Sequence, residues 1–158
     1  MTLYDLMKST SRMRNVSATP NVELRGLKLR YVDYSKSLLV EALAYGTSVY
    51  QLSIRFLDIE LSDTGIIVPT ETKKIKVKIE LPSYRKTHVK VSCSCPDYLY
   101  TFGLWNDLKG AHDRSKRKKF PPPGKGLRPP RNPKGFPGLC KHLVNLTETL
   151  MNSNILRP

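Results

Sequence analysis

Three cysteines and one histidine constrain this chain more than anything else in it. Cys93 and Cys95 stand one residue apart, as do Cys140 and His142, and residues 96–139 separate the two pairs. An odd number of cysteines rules out a closed intramolecular disulfide framework. Three thiolates and an imidazole are instead a standard donor set for a closed tetrahedral zinc site. The spacing also says how each pair must be held. Residues 87–95 alternate, so Val89, Val91, Cys93 and Cys95 share one face of a strand and His88, Lys90, Ser92 and Ser94 the other. Within a regular helix, Cys140 and His142 would point about 200° apart. Cys140 is therefore expected at or before the first helical position and His142 in the first turn, with the helix N-terminus favouring the thiolates. The reading is one Zn2+ held by Cys93, Cys95, Cys140 and His142. Its role is structural, replacing core that a lean chain lacks. His112 is the only alternative ligand, and both it and His88 read as surface residues.

The rest of the chain predicts an α+β fold, a mainly antiparallel β domain whose last strand is tied by zinc to a C-terminal helix. Leu3, Leu6 and Met7 have helical spacing, and Thr2 with Asp5 makes a helix start, so residues 1–21 read as an N-terminal helical arm, either packed on its own domain or docked on a neighbouring subunit. Residues 22–158 read as a single β-rich domain. Strands are expected over Glu23–Tyr34, with a bulge at Gly26, over Leu38–Tyr45 and over Ser48–Leu57. Ser62–Gly65 reads as a turn before a brief edge strand at Ile66–Val68. Lys74–Leu81 alternates most clearly, with Ile75, Val77, Ile79 and Leu81 opposite Lys74, Lys76, Lys78 and Glu80; the lysine stripe reads as a solvated face. Tyr98–Leu108 reads as a short helix capped by Asp97. Its aromatics suit core packing beside the metal better than a stacking platform for bases. Leu139, Leu143, Leu146 and Leu150 mark the last amphipathic helix.

Between the two ligand pairs the composition changes. Residues 109–138 carry ten lysines and arginines against the single acid Asp113, and seven of the chain's 12 prolines. Such a stretch cannot supply a core and reads as an extended basic loop. It holds much of an overall formal charge of +14, from 27 basic and 13 acidic residues among 158. An excess of this size points to an anionic partner. The candidate partner-binding residues are Lys116, Arg117, Lys118, Lys119, Lys125, Arg128, Arg131 and Lys134. Gly124-Lys125-Gly126 lacks the glycine spacing and the following Ser or Thr of a phosphate loop.

Val91-Ser92-Cys93-Ser94-Cys95-Pro96 together with Leu139-Cys140-Lys141-His142-Leu143 resembles a SWIM-type zinc finger, Cys-x-Cys followed by Cys-x-His. The resemblance covers residues 87–151 and implies a strand–strand–helix zinc module that binds DNA or protein. The chain departs from the family in its long 44-residue gap (residues 96–139), and no attached catalytic domain is expected. The wider pattern Cys-Ser-Cys-Pro-Asp, Asn132-Pro133 and Pro137-Gly138-Leu139-Cys140-Lys141-His142-Leu143 is also similar to small structural proteins of large tailed bacteriophages. That likeness implies a virion subunit, assembled in the host cytoplasm, at the head–tail connection or baseplate.

No run of about 18 apolar residues is present, so no membrane span is expected. The N-terminus has no apolar stretch of signal-peptide length, which implies an intracellular origin. A cysteine nucleophile would need a base and an oxyanion site that the sequence does not offer, and zinc would quench its thiolate. The expectation is a non-enzymatic structural subunit gripping other virion subunits through its arm and basic loop. The alternatives are a free nucleic-acid-binding protein and a small inhibitor or adaptor of an acidic partner. The density of proline among the charges favours the first, because an ordered extended loop suits a groove between subunits.

Overall fold

A computed structural model of the chain describes residues 1–16, 22–122 and 130–158. Its centre is an antiparallel sheet of four strands in the order β1 (Glu23–Val32), β2 (Ser37–Tyr45), β3 (Val49–Phe56) and β6 (Val89–Cys93). The β1–β2 connection turns at Asp33–Ser35, with Lys36 in the left-handed region at φ 44°. Gly26 sits at φ +63° where the β1–β2 register shifts between Arg25 and Lys28, which is the bulge expected from the sequence. Strand alternation puts Leu38, Val40, Ala42 and Ala44 of β2 on the buried face with Leu52, Ile54 and Phe56 of β3 and Val89, Val91 and Cys93 of β6.

Two helices complete that core. In α1 (Leu3–Ser11), Thr2 and Asp5 form a reciprocal capping box, and Leu3 and Leu6 are fully buried. The Met1 carbonyl accepts from Val89 N–H, and the Thr10 hydroxyl accepts from Leu139 N–H at 2.9 Å. The helix expected to form an arm is thus packed into the chain's own core, and its apolar side is not presented to a neighbour. In α3 (Lys141–Asn152), Leu143, Leu146 and Leu150 face the same core, and the helix lies against β3 and β6.

β4 (Leu61–Pro69) and β5 (Lys76–Ile79) form a separate two-stranded sheet, joined to the end of β1 by a Tyr31–Thr70 bridge. β4 is longer than the expected edge strand because the expected turn at Ser62–Gly65 is absorbed as an irregularity in the ladder. Gly65 allows this: at φ +126° it lies so close to Ile79 that a Cβ would sit 2.0 Å from the Ile79 carbonyl oxygen. β5 is shorter than the alternation predicts. Lys74 adopts φ 51°, and Ile75 closes a turn on Thr70, so pairing begins only at Lys76.

The aromatic segment is a π-helical turn, Tyr98–Phe102, running into α2 (Gly103–Leu108). Tyr98 and Phe102 are fully buried, as core packing requires, while Tyr100 is exposed. Asp97 does not cap the helix. Its carboxylate instead receives both Arg14 guanidinium nitrogens, at 3.1 and 2.6 Å. No helix among the described residues is long and apolar enough to cross a membrane.

Candidate metal centre

β6 ends at Cys93, and the chain turns there so that Cys95 stays beside it. The Cys95 N–H donates to Cys93 Sγ at 3.4 Å, and the Tyr98 N–H donates to Cys95 Sγ at 3.3 Å. Amide bonds of this kind favour the thiolate form. On the other side Cys140 is the N-cap of α3, extended at φ −73° and ψ 165°, with His142 in the first helical turn. This is the arrangement that the two-residue spacing demands. The ligand atoms of Cys93, Cys95, Cys140 and His142 all lie within 4.8 Å of one another, and all four residues are buried. Cys93 Sγ is 3.9 Å from His142 Nδ1. A tetrahedral ion with Zn–S bonds of ~2.3 Å sets ligand separations of about 3.8 Å, so the donor set fits. The three cysteines are free thiols, with no disulfide among them.

The electrostatics match a site that carries net negative charge. Hydrogen bonds from Cys140 and Cys93 push the Cys95 thiol below its usual range. Burial pushes Cys93 and Cys140 up, which is the cost a cation would offset. Arg14 stands beside the cluster. Its pKa is raised chiefly by the hydrogen bond to Asp97 and further by the nearby Cys140 and Cys95 sulfurs. Its guanidinium also lies 4.9 Å over the Phe102 ring and reaches the Leu139 carbonyl at 3.4 Å. The His142 ring packs against Tyr50, with centroids 5.1 Å apart. The cluster thus links the β6 end of the sheet to α3, and it could hold a metal ion.

His112 is no surface residue and no ligand. It is buried, with Nδ1 at 2.9 Å from the Tyr98 hydroxyl and Nε2 at 2.8 Å from the Arg117 carbonyl. The Arg117 carbonyl accepts from Nε2–H, while the Tyr98 hydroxyl donates to the Val91 carbonyl at 2.9 Å, which also lies 3.1 Å from Nδ1. Burial lowers the pKa of this ring. His88 is exposed, paired through its backbone with Thr2.

The described parts of the basic excursion, residues 109–122 and 130–138, are more firmly built than its composition suggests. Residues 111–113 extend the sheet beside β6, with Val91 N–H donating to Ala111 O and Asp113 N–H to Val91 O. Asp113 is buried in an ion pair with Arg55 at 3.0 Å. Asn132 donates to the carbonyls of Thr101 and Phe136, and Asn106 clamps Gly138. Sequence reading missed Asp113, Asn132 and Asn106 as anchors, since each is buried by a partner far along the chain and nothing in its local composition marks it. Of the candidate partner-binding residues, Lys116 is paired with Glu41 of β2, and Arg117 covers the Phe120 ring and donates to Lys119 O. Lys118 and Lys119 are exposed beside them, while Arg131 and Lys134 are exposed near the other end of the excursion. Lys125 and Arg128 lie outside the described residues.

Compared with known protein families, curated proteins and solved structures, the chain matches none of them. The Cys/Cys/Cys/His cluster is compatible with a zinc finger, and that compatibility rests on the four ligands themselves.

Proposed function

We propose that the protein is a non-enzymatic, zinc-stabilised structural subunit of a tailed-bacteriophage particle, at the head–tail connection or baseplate. In this reading Zn2+ on Cys93, Cys95, Cys140 and His142 ties β6 to α3, and the basic excursion between the ligand pairs docks on an acidic surface of a neighbouring subunit. The observation that carries it is the closed, buried Cys3His cluster spanning both ends of that excursion. Three thiolates and an imidazole select zinc over harder cations, and four protein ligands leave no open position for a substrate or an activated water. Zinc supplies only cross-linking here. The N-terminal helix has no docking role in this account, because its apolar side is occupied within the chain.

Exposure of Lys118, Lys119, Arg131 and Lys134 favours a second reading, a nucleic-acid-binding protein whose excursion neutralises phosphates. One variant separates the two. Lys116, Arg117, Lys118 and Lys119 are all replaced by Ala, and the zinc-loaded protein is assayed for duplex DNA binding and for incorporation into particles. The structural reading expects weak DNA affinity at physiological salt and loss of incorporation with the zinc fold intact. Tight, salt-sensitive DNA binding that the variant loses would replace it with the nucleic-acid reading.

A further inference from the structure

The face of the main sheet opposite the core carries a cleft of about 500 Å3, roofed by the start of the basic excursion. Ladder register places Glu41, Ser53 and Ser92 in one row across β2, β3 and β6, and this row forms the cleft floor. Lys28 from β1 and Lys116 and Arg117 from the excursion line it as well. The only carboxylate among the lining residues, Glu41, is already shared between Arg30 at 2.6 Å and Lys116, so the cleft is net positive.

Ser53 is 3% exposed, and its hydroxyl has no hydrogen-bond partner among the described residues. Buried hydroxyls are seldom left unpaired, and the Ser53 oxygen, enclosed in this structure, meets a ligand in the cleft once its side chain turns toward it. Leu43 and Leu99 give the same cleft apolar wall, and its volume is several times that of a bare oxyanion.

We propose that this cleft binds a phosphate-bearing small molecule of up to mononucleotide size, with Lys28 and Arg117 on the phosphate and Ser53 donating from the floor. A tetrahedral dianion offers enough acceptor oxygens for all three. This goes beyond the structural role above: the sheet face supplies the charged and hydroxyl groups, although Cys93 of the metal cluster also borders the cleft.

The test is calorimetric titration of the zinc-loaded full chain with inorganic phosphate and, separately, with adenosine monophosphate at physiological salt. Variants are Lys28→Ala, Ser53→Ala and a charge control, Lys86→Ala, in an exposed turn outside the cleft. The proposal expects saturable one-to-one binding, weakened about tenfold by Lys28→Ala and severalfold by Ser53→Ala, and unchanged by Lys86→Ala. Adenosine monophosphate binding more tightly than phosphate assigns the apolar wall to a nucleoside. Equal binding assigns the site to the phosphate group alone, and both support the cleft. Absence of saturable binding overturns the proposal, as does equal weakening by Lys86→Ala and Lys28→Ala. Should Ser53→Ala fail to fold, Lys28→Ala on the exposed rim still decides.

Discussion

Asn106 and Gly138 exchange two hydrogen bonds: Asn106 Nδ2 donates to the Gly138 carbonyl at 2.9 Å, and Gly138 N–H donates to Asn106 Oδ1 at 2.8 Å. A side-chain amide thus does for Gly138 what a neighbouring strand would do, and it fixes the backbone two residues before Cys140. The return of the basic excursion is closed twice, once by this amide and once by the metal ligands. Asn106 is fully buried. Asn106→Ala leaves both Gly138 backbone groups without partners and should cost about 3 kcal/mol. Urea unfolding of the zinc-loaded protein checks it, and a loss under about 1 kcal/mol would show that the metal alone closes the loop.

Asp113 gives the excursion a pH-dependent anchor. Burial alone would push its pKa up, but hydrogen bonds from Ser115 and the Arg55 guanidinium outweigh burial and hold it below the ordinary range. A depressed carboxyl contributes stability above its unfolded pKa of about 3.9 and loses it as pH falls through the folded value. Asp113→Asn should cost ~3 kcal/mol at neutral pH, because Arg55 loses its partner. The difference between wild type and variant should stay constant above about pH 5 and shrink below about pH 4. Both proteins protonate the same thiolates in acid, so the difference isolates Asp113. A gap independent of pH down to 3 would contradict the assignment.

Gly65→Ala tests the hairpin of β4 and β5. The new Cβ would meet the Ile79 carbonyl oxygen at 2.0 Å from a backbone at φ +126°, and both faults act together. The expected loss is at least about 2 kcal/mol, visible as a lowered denaturation midpoint. Gly46→Ala, where nothing lies within 4 Å, is the comparison and should be close to neutral.

Thr2→Ala removes one half of the capping box, in which the Thr2 hydroxyl accepts from Asp5 N–H at 3.1 Å and Asp5 accepts from Thr2 N–H at 2.9 Å. It should cost about 1 kcal/mol by chemical denaturation. A loss far larger would mean that α1 also holds the metal centre together through Thr10 and Leu139.

The metal centre was legible in the sequence because thiol and imidazole chemistry at fixed spacing admits few arrangements. The 3.6-residue helix period placed Cys140 at or before the first helical position, and the structure makes it the N-cap. Strand alternation likewise marked β6, an apolar run marked β2, a mixture of the two marked β3, and the interruption at Gly26 marked the bulge. What stayed hidden depends on partners far along the chain. Lys74–Leu81 alternates well, yet the turn between Thr70 and Ile75 consumes its start. His112, Asp113, Asn106 and Asn132 are buried because each satisfies a particular distant group, and composition marks them only as polar loop residues. The helix of residues 3–11 reads the same from sequence whether its leucines meet its own core or a neighbour's, and only the packing decided for its own.

The central claim is that Cys93, Cys95, Cys140 and His142 form a zinc site that holds β6 to α3. Elemental analysis of freshly purified protein, alongside Cys140→Ser, tests it most directly. The account predicts one zinc per chain in the wild type. It predicts no bound zinc in the variant, together with unfolding of the C-terminal half, because structural zinc contributes roughly 10 kcal/mol or more to a small domain. Wild-type protein that carries no stoichiometric zinc and is as stable as Cys140→Ser would contradict it.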